Sequence, residues 1–213
     1  MTPLTAISKD KLILVTDLYL NKKLCVREIA GYLKVSPDAV TSFFRRHKIP
    51  KRTFSEAQQV KFQKKAPSFI KRKLNTPILK EIAIVGTMLY WGEGYKGNEK
   101  IPAHGVDFAN SDYKMIVLFL EFLRKVFILD EKRFRVYLYC YSDQDVPKII
   151  QFWSELTKIP KSQFTKPYVR NDFNDKSNKM SHGLIHIRYH DKKLLLEIKS
   201  MIESYVLKYA PIV

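Results

Sequence analysis

The segment Ile84-Val-Gly-Thr-Met-Leu-Tyr-Trp-Gly-Glu-Gly-Tyr-Lys96 is where residue types and spacing suggest chemistry. An apolar helical run ends in Gly92-Glu93-Gly94, which puts a carboxylate at a helix C-terminus. The macrodipole opposes a negative charge there by roughly 0.3–1 kcal/mol. A compensating cation is expected, either a divalent ion or the neighbouring Lys96. The spacing His182-x3-His186-x3-His190 suggests a metal site on a helix, but on a strand those residues span roughly 13 Å, too far for one ion. Gly92 to Lys96 does not have the GxxxxGK[ST] spacing of a phosphate-binding loop, and no GxSxG or Cys/His nucleophile pattern occurs. The two cysteines, Cys25 and Cys140, have neither CxxC spacing nor a disulfide framework, which fits a reducing compartment.

A second group of residues has the character of a binding surface. The stretch from Val26 to His47 reads as two short helices joined by a tight turn. Ile29 and Leu33 share one face, as do Val40 and Phe43; Val35 fills the turn, and the small Ala30 permits close crossing. Ser36 is an N-cap, Pro37 occupies the first helical position and Asp38 the first turn, so the second helix starts there. This pair resembles the helix-turn-helix of site-specific recombinases and many bacterial regulators. The resemblance implies that Ser36, Asp38, Thr41, Ser42 and Arg45 face the major groove as base readers. Arg46, Lys48, Lys51 and Arg52 follow as phosphate contacts. Lys34 stands where that family often has Gly, from which a somewhat different turn conformation is expected.

The charge of the chain agrees with a polyanionic partner. Net charge is +17 over 213 residues. Residues 1–77 hold 17 Lys+Arg against 5 Asp+Glu, and residues 78–213 hold 21 against 16, so the first third is the denser cationic part. No basic amphipathic helix presents a concentrated apolar face to a membrane surface, no apolar run reaches the length of about 18 residues that a span needs, and the stretch MTPLTAISKDKL lacks a leader's apolar core. The expectation is therefore a cytoplasmic protein bound to double-stranded DNA.

The elements that must position these residues divide into three. Residues 1–53 are expected to form the helical module, 54–77 a basic linker with a helix capped by Ser55, and 78–213 an α+β domain. Hydropathy in the last part predicts helices over 78–92, 112–127, 146–156 and 192–209, and strands over 106–109, 133–141, 164–170 and 182–189. With 46% hydrophobic residues, packed cores are affordable. Along 133–141, Phe134, Val136, Leu138 and Cys140 alternate with Arg133, Arg135, Tyr137, Tyr139 and Tyr141. Along the later strand, Ile185, Ile187 and Tyr189 alternate with His182, Leu184, His186, Arg188 and His190. Each strand thus has one core face and one basic, aromatic face suited to line DNA. Tyr90, Trp91, Phe152 and Trp153 are expected in the core.

Residues 78–209 also resemble the LAGLIDADG homing endonucleases, on Gly92-Glu93-Gly94, on Val106-Asp-Phe-Ala-Asn-Ser-Asp112 with the helix after it, and on Ile150 to Pro160. The resemblance implies a homodimer through the helix of residues 78–93, with Glu93 from each copy as a Mg2+ ligand, Lys96 as an auxiliary base, and an antiparallel sheet against the major groove. Met88 stands where that family favours a small residue, with Gly86 two places earlier. A regulator that keeps the fold and has lost catalysis is the alternative.

Overall fold

A computed structural model describes residues 7–98, 100–171 and 180–210; the stretch Met1–Ala6, part of the N-terminal reading above, lies outside them. The chain is mixed α+β and divides into two compact units, Met1–Ala66 and Pro67–Val213.

In the first unit, α1 (Leu12–Thr16) is entered by a 3-10 turn at Lys9–Lys11 and widens into a π turn over Asp17–Asn21. Then follow α2 (Val26–Leu33), α3 (Pro37–Arg46) and α4 (Phe54–Lys64). Val15, Leu18 and Tyr19 from the first helical segment close a core with Ile29, Ala30, Val40, Phe43, Phe44 and Ile49. Two crossed helices of eight and ten residues cannot bury both apolar stripes by themselves, which is why this segment, not expected from the sequence, is needed. The turn after α2 keeps the glycine-like conformation although its residue is lysine: Lys34 has φ 55° and ψ 43°, and the Val35 N–H returns to Ala30 O at 2.9 Å. The expectation of a different turn is thus corrected.

The connection expected over residues 54–77 is split between the units. The N-cap of α4 is Thr53 instead of Ser55, through a capping box in which the Thr53 N–H reaches Glu56 Oε2 at 2.7 Å. Lys64 pairs with Glu28 of α2 at 3.1 Å, so α4 belongs to the first unit. Beyond Ala66, the segment Phe69–Lys71 (β1) pairs antiparallel with Phe127–Leu129 (β3) and belongs to the second unit.

The second unit continues with α5 (Pro77–Glu93), β2 (Val106–Asn110), α6 (Tyr113–Val126), β3, β4 (Phe134–Tyr141), α7 (Val146–Thr157), β5 (Tyr168–Arg170), β6 (Leu184–Tyr189) and α8 (Lys192–Tyr209). Its four-stranded sheet runs β2-β6-β4-β5. β6 is antiparallel to β2 and to β4, but β5 is parallel to β4, so the expected antiparallel sheet is mixed. The helical connection through α7 makes the parallel pairing possible. The strand expected over 164–170 is shortened at its start, where Phe164 makes only an isolated bridge to Val136 and the Gln163 amide holds Glu131 O and Phe134 O, both at 2.9 Å.

One apolar face of the sheet shares a core with α5, α6, α7 and α8, including Val106, Phe108, Val136, Leu138, Ile185 and Ile187. The tightest helix crossing is α5 on α6, where a Cβ added at Gly86 would lie 1.9 Å from Phe122 Cγ. Gly86 is thus consumed by packing within the chain. Tyr90 and Trp153 are buried as expected and Phe152 is half-buried, but Trp91 is 49% exposed because it lies on the outward side of α5. Asp191 caps α8 and accepts from Ser68 N–H at 2.8 Å and Ser68 Oγ at 2.6 Å, tying the start of β1 to the last helix.

Candidate nucleic-acid interface

The outward face of α3 exists because its N-terminus is fixed. Ser36 Oγ accepts from Ala39 N–H at 3.1 Å, and Pro37 pre-sets the first helical residue. Val40, Phe43 and Phe44 turn inward, so at 100° per residue Asp38, Thr41, Ser42 and Arg45 fall on the opposite face. Asp38, Arg45 and Arg46 are exposed, and Thr41 and Ser42 are half-buried. Ser36, Asp38, Ser42 and Arg46 line a hollow of about 220 Å³ with Ile7 at its edge. The Ser36 hydroxyl is committed to the cap, so it shapes the helix start more than it offers a free group.

The cations after α3 divide in role. Lys48 and Lys51 are exposed. Arg52 is instead built into the unit: Nη1 donates to Leu24 O at 3.1 Å, Nη2 donates to Tyr19 O, and the guanidinium lies 4.1 Å from the Tyr19 ring centroid. Its backbone N–H also donates to Tyr19 Oη at 2.7 Å. The expectation of a phosphate contact at Arg52 is corrected to that of an internal brace.

The second surface is the outward face of the sheet, where the expected alternation is present on both central strands. Arg135, Tyr137, Tyr139 and Tyr141 of β4 and His186 and Arg188 of β6 are half-exposed, opposite their buried neighbours. Their cations are internally engaged. Asp107 of β2 accepts from Arg188 Nε at 2.7 Å and meets His186 Nδ1 at 2.8 Å, while Arg188 stacks 4.0 Å from the Tyr137 ring centroid. Asp107 was not singled out from the sequence, because only the β2–β6 register sets it opposite Arg188. Arg135 Nη1 donates to Lys132 O at 2.8 Å and Phe134 O at 2.7 Å, and Arg133 Nη2 donates to His190 O. Burial, then the charges of Arg188, Arg135 and Arg133, lower the pKa of His190 and favour its neutral form.

His182 does not share this face. Gly183, at φ +64°, breaks the alternation just before β6, and the His182 ring stacks on Phe152 of α7 at 3.8 Å. The parity that grouped it with His186 holds only while the backbone stays extended.

At the end of α5, Glu93 is exposed. Lys96 Nζ donates to Trp91 O and Gly94 O, both at 2.8 Å, so the ammonium neutralises the carbonyl end of the helix directly. In this arrangement Lys96, expected as an auxiliary base, has its ammonium on main-chain carbonyls. Among the described residues no group of three or more His, Cys, Asp or Glu side chains could hold a metal ion. Ile84, Val85, Met88, Leu89, Gly92 and Met115 form a shallow apolar groove of about 500 Å³ beside Glu93. No described helix is long and apolar enough to cross a membrane. No protein-family model, curated protein or solved structure matches the chain.

Proposed function

We propose that the protein binds double-stranded DNA, with α3 as a recognition helix in the major groove. The observation that carries this reading is the outward face of α3, with Asp38 and Arg45 exposed and Thr41 and Ser42 half-buried between them, on a helix whose start is locked by Ser36 and Pro37 and which is followed by the exposed cations Lys48 and Lys51. The net charge of +17 supports the same partner, since phosphate neutralisation supplies most non-specific affinity. Base choice resides in Thr41, Ser42 and Arg45, and phosphate contact in Arg46, Lys48 and Lys51.

Within this reading, the LAGLIDADG-like arrangement has a cutting and a non-cutting version. The apolar groove along α5 favours the first: a second copy laid against Ile84, Val85 and Met88 covers that groove and brings a second Glu93 to the same end of the helix pair. Two carboxylates then stand at one place, and Mg2+ is held by one or two carboxylates together with waters and substrate phosphates. A monomer keeps Glu93 single and binds without cutting.

Selection of duplexes from a random pool tests binding, and incubation of the selected duplexes with Mg2+ tests cutting. A defined double-strand break that disappears in Glu93→Gln identifies the nuclease; intact duplex identifies the regulator. Failure to enrich any sequence, together with duplex affinity unaffected by Arg45→Ala, Lys48→Ala and Lys51→Ala, refutes the assignment of α3.

A further inference from the structure

The open face of the sheet differs chemically from that of α3. A duplex offers base edges and phosphates to a protein, and its base faces are hidden in the stack. Extended, uncommitted cations would suit it. On this face Arg135 is spent on main-chain carbonyls and Arg188 is clamped between Asp107 and the Tyr137 ring. What remains outward is a row of rings crossing three adjacent strands. Tyr168 of β5 lies 5.4 Å from Tyr139 of β4, and Tyr139 lies 5.1 Å from His186 of β6. These separations follow the inter-strand distance of about 4.8 Å, so the pairing of the sheet itself sets the pitch of the row. Tyr168 is 60% exposed at the edge, while Tyr139 and His186 are half-buried and held by neighbours, so little side-chain entropy remains to be lost on contact.

We propose that this row is a stacking platform for unpaired bases of a nucleic-acid strand, with Tyr139 and Tyr168 as the contact rings. The assignment rests on the reading that the protein binds nucleic acid, and it goes beyond duplex binding by α3. Every base has a π-face, so the platform takes single strands with little sequence preference, and the positive net charge of the chain holds their phosphates. Paired DNA gains nothing from it.

The test compares the full chain's affinity for a short homothymidine strand, an abasic strand of equal length and charge, and a fully paired duplex. The base-bearing strand is expected to bind at least about tenfold more tightly than the abasic one. Tyr168→Ala, at an exposed edge position that the core does not need, is expected to shrink that ratio without changing duplex affinity. Tyr139→Ala removes most of it, and Tyr139→Phe restores it. Equal binding of base-bearing and abasic strands overturns the stacking platform while leaving nucleic-acid binding intact. Equal losses for strand and duplex in Tyr168→Ala overturn it too, and absence of binding to all three ligands overturns both this inference and the reading on which it rests.

Discussion

Arg52 shows how residue type alone misassigns a role. It follows Arg46, Lys48 and Lys51 in the sequence, yet its guanidinium is joined to Leu24 O, Tyr19 O and the Tyr19 ring. Arg52→Ala is therefore expected to lower the stability of the first unit by about 1–3 kcal/mol, read by chemical denaturation. The salt dependence of DNA binding should stay as it was, and a flattened dependence would return Arg52 to the phosphate contacts. Asp191 carries a pH prediction. Burial acts to raise its pKa, but hydrogen bonds from Ser68 and from the N–H groups of Lys193 and Leu194 outweigh this and hold it below the ordinary carboxylate value. A depressed native pKa stabilises the fold fully above the unfolded value of about 3.9 and loses that contribution as pH falls through the native value. Asp191→Ala should cost about 0.5–2 kcal/mol at neutral pH. The gap from the parent should close on acidification, and a gap independent of pH would show that the carboxylate charge is not what matters.

At the scale of elements, the turn after α2 and the two glycines of α5 separate local from tertiary constraints. Lys34 holds a left-handed conformation that costs a side-chain-bearing residue about 1 kcal/mol, so Lys34→Gly should raise the melting temperature of the first unit. Gly86→Ala should instead destabilise the second unit by about 1–3 kcal/mol, because the new methyl group meets the Phe122 side chain. Gly92 has open space around its Cβ position, so Gly92→Ala should be neutral or stabilising by up to about 1 kcal/mol in a monomer. A destabilisation that grows with protein concentration would locate a second copy against that face. Both glycines look alike in the sequence Gly86-Thr-Met-Leu-Tyr-Trp-Gly92, and only the crossing with α6 tells them apart.

For the molecule as a whole, the boundary at Ala66 redistributes the charge. The first unit holds 14 Lys+Arg against 5 Asp+Glu in 66 residues, and the second holds 24 against 16 in 147. The first remains the denser cationic surface, although the contrast is smaller than a boundary after Pro77 suggests. Each phosphate contact removed by Arg46→Ala, Lys48→Ala or Lys51→Ala should reduce the steepness of log K against log salt by about 0.9. An unchanged slope would show that these side chains do not meet the backbone of DNA.

The sequence by itself determined the caps at Ser36 and Pro37, the apolar periodicity of α2, α3, α5, α6, α7 and α8, and the inward and outward parity of β4 and β6. All of these are short-range: they depend on residues within a turn or two, whose spacing maps directly onto a helix or strand face. Tertiary structure alone decided that β5 runs parallel to β4, that β1 leaves the linker to pair with β3, and that Asp107 clamps His186 and Arg188. It also decided that Lys96 and Arg52 are consumed by carbonyls. Those outcomes depend on which groups far apart in the chain are brought within hydrogen-bond reach, and local side-chain patterns do not encode that distance.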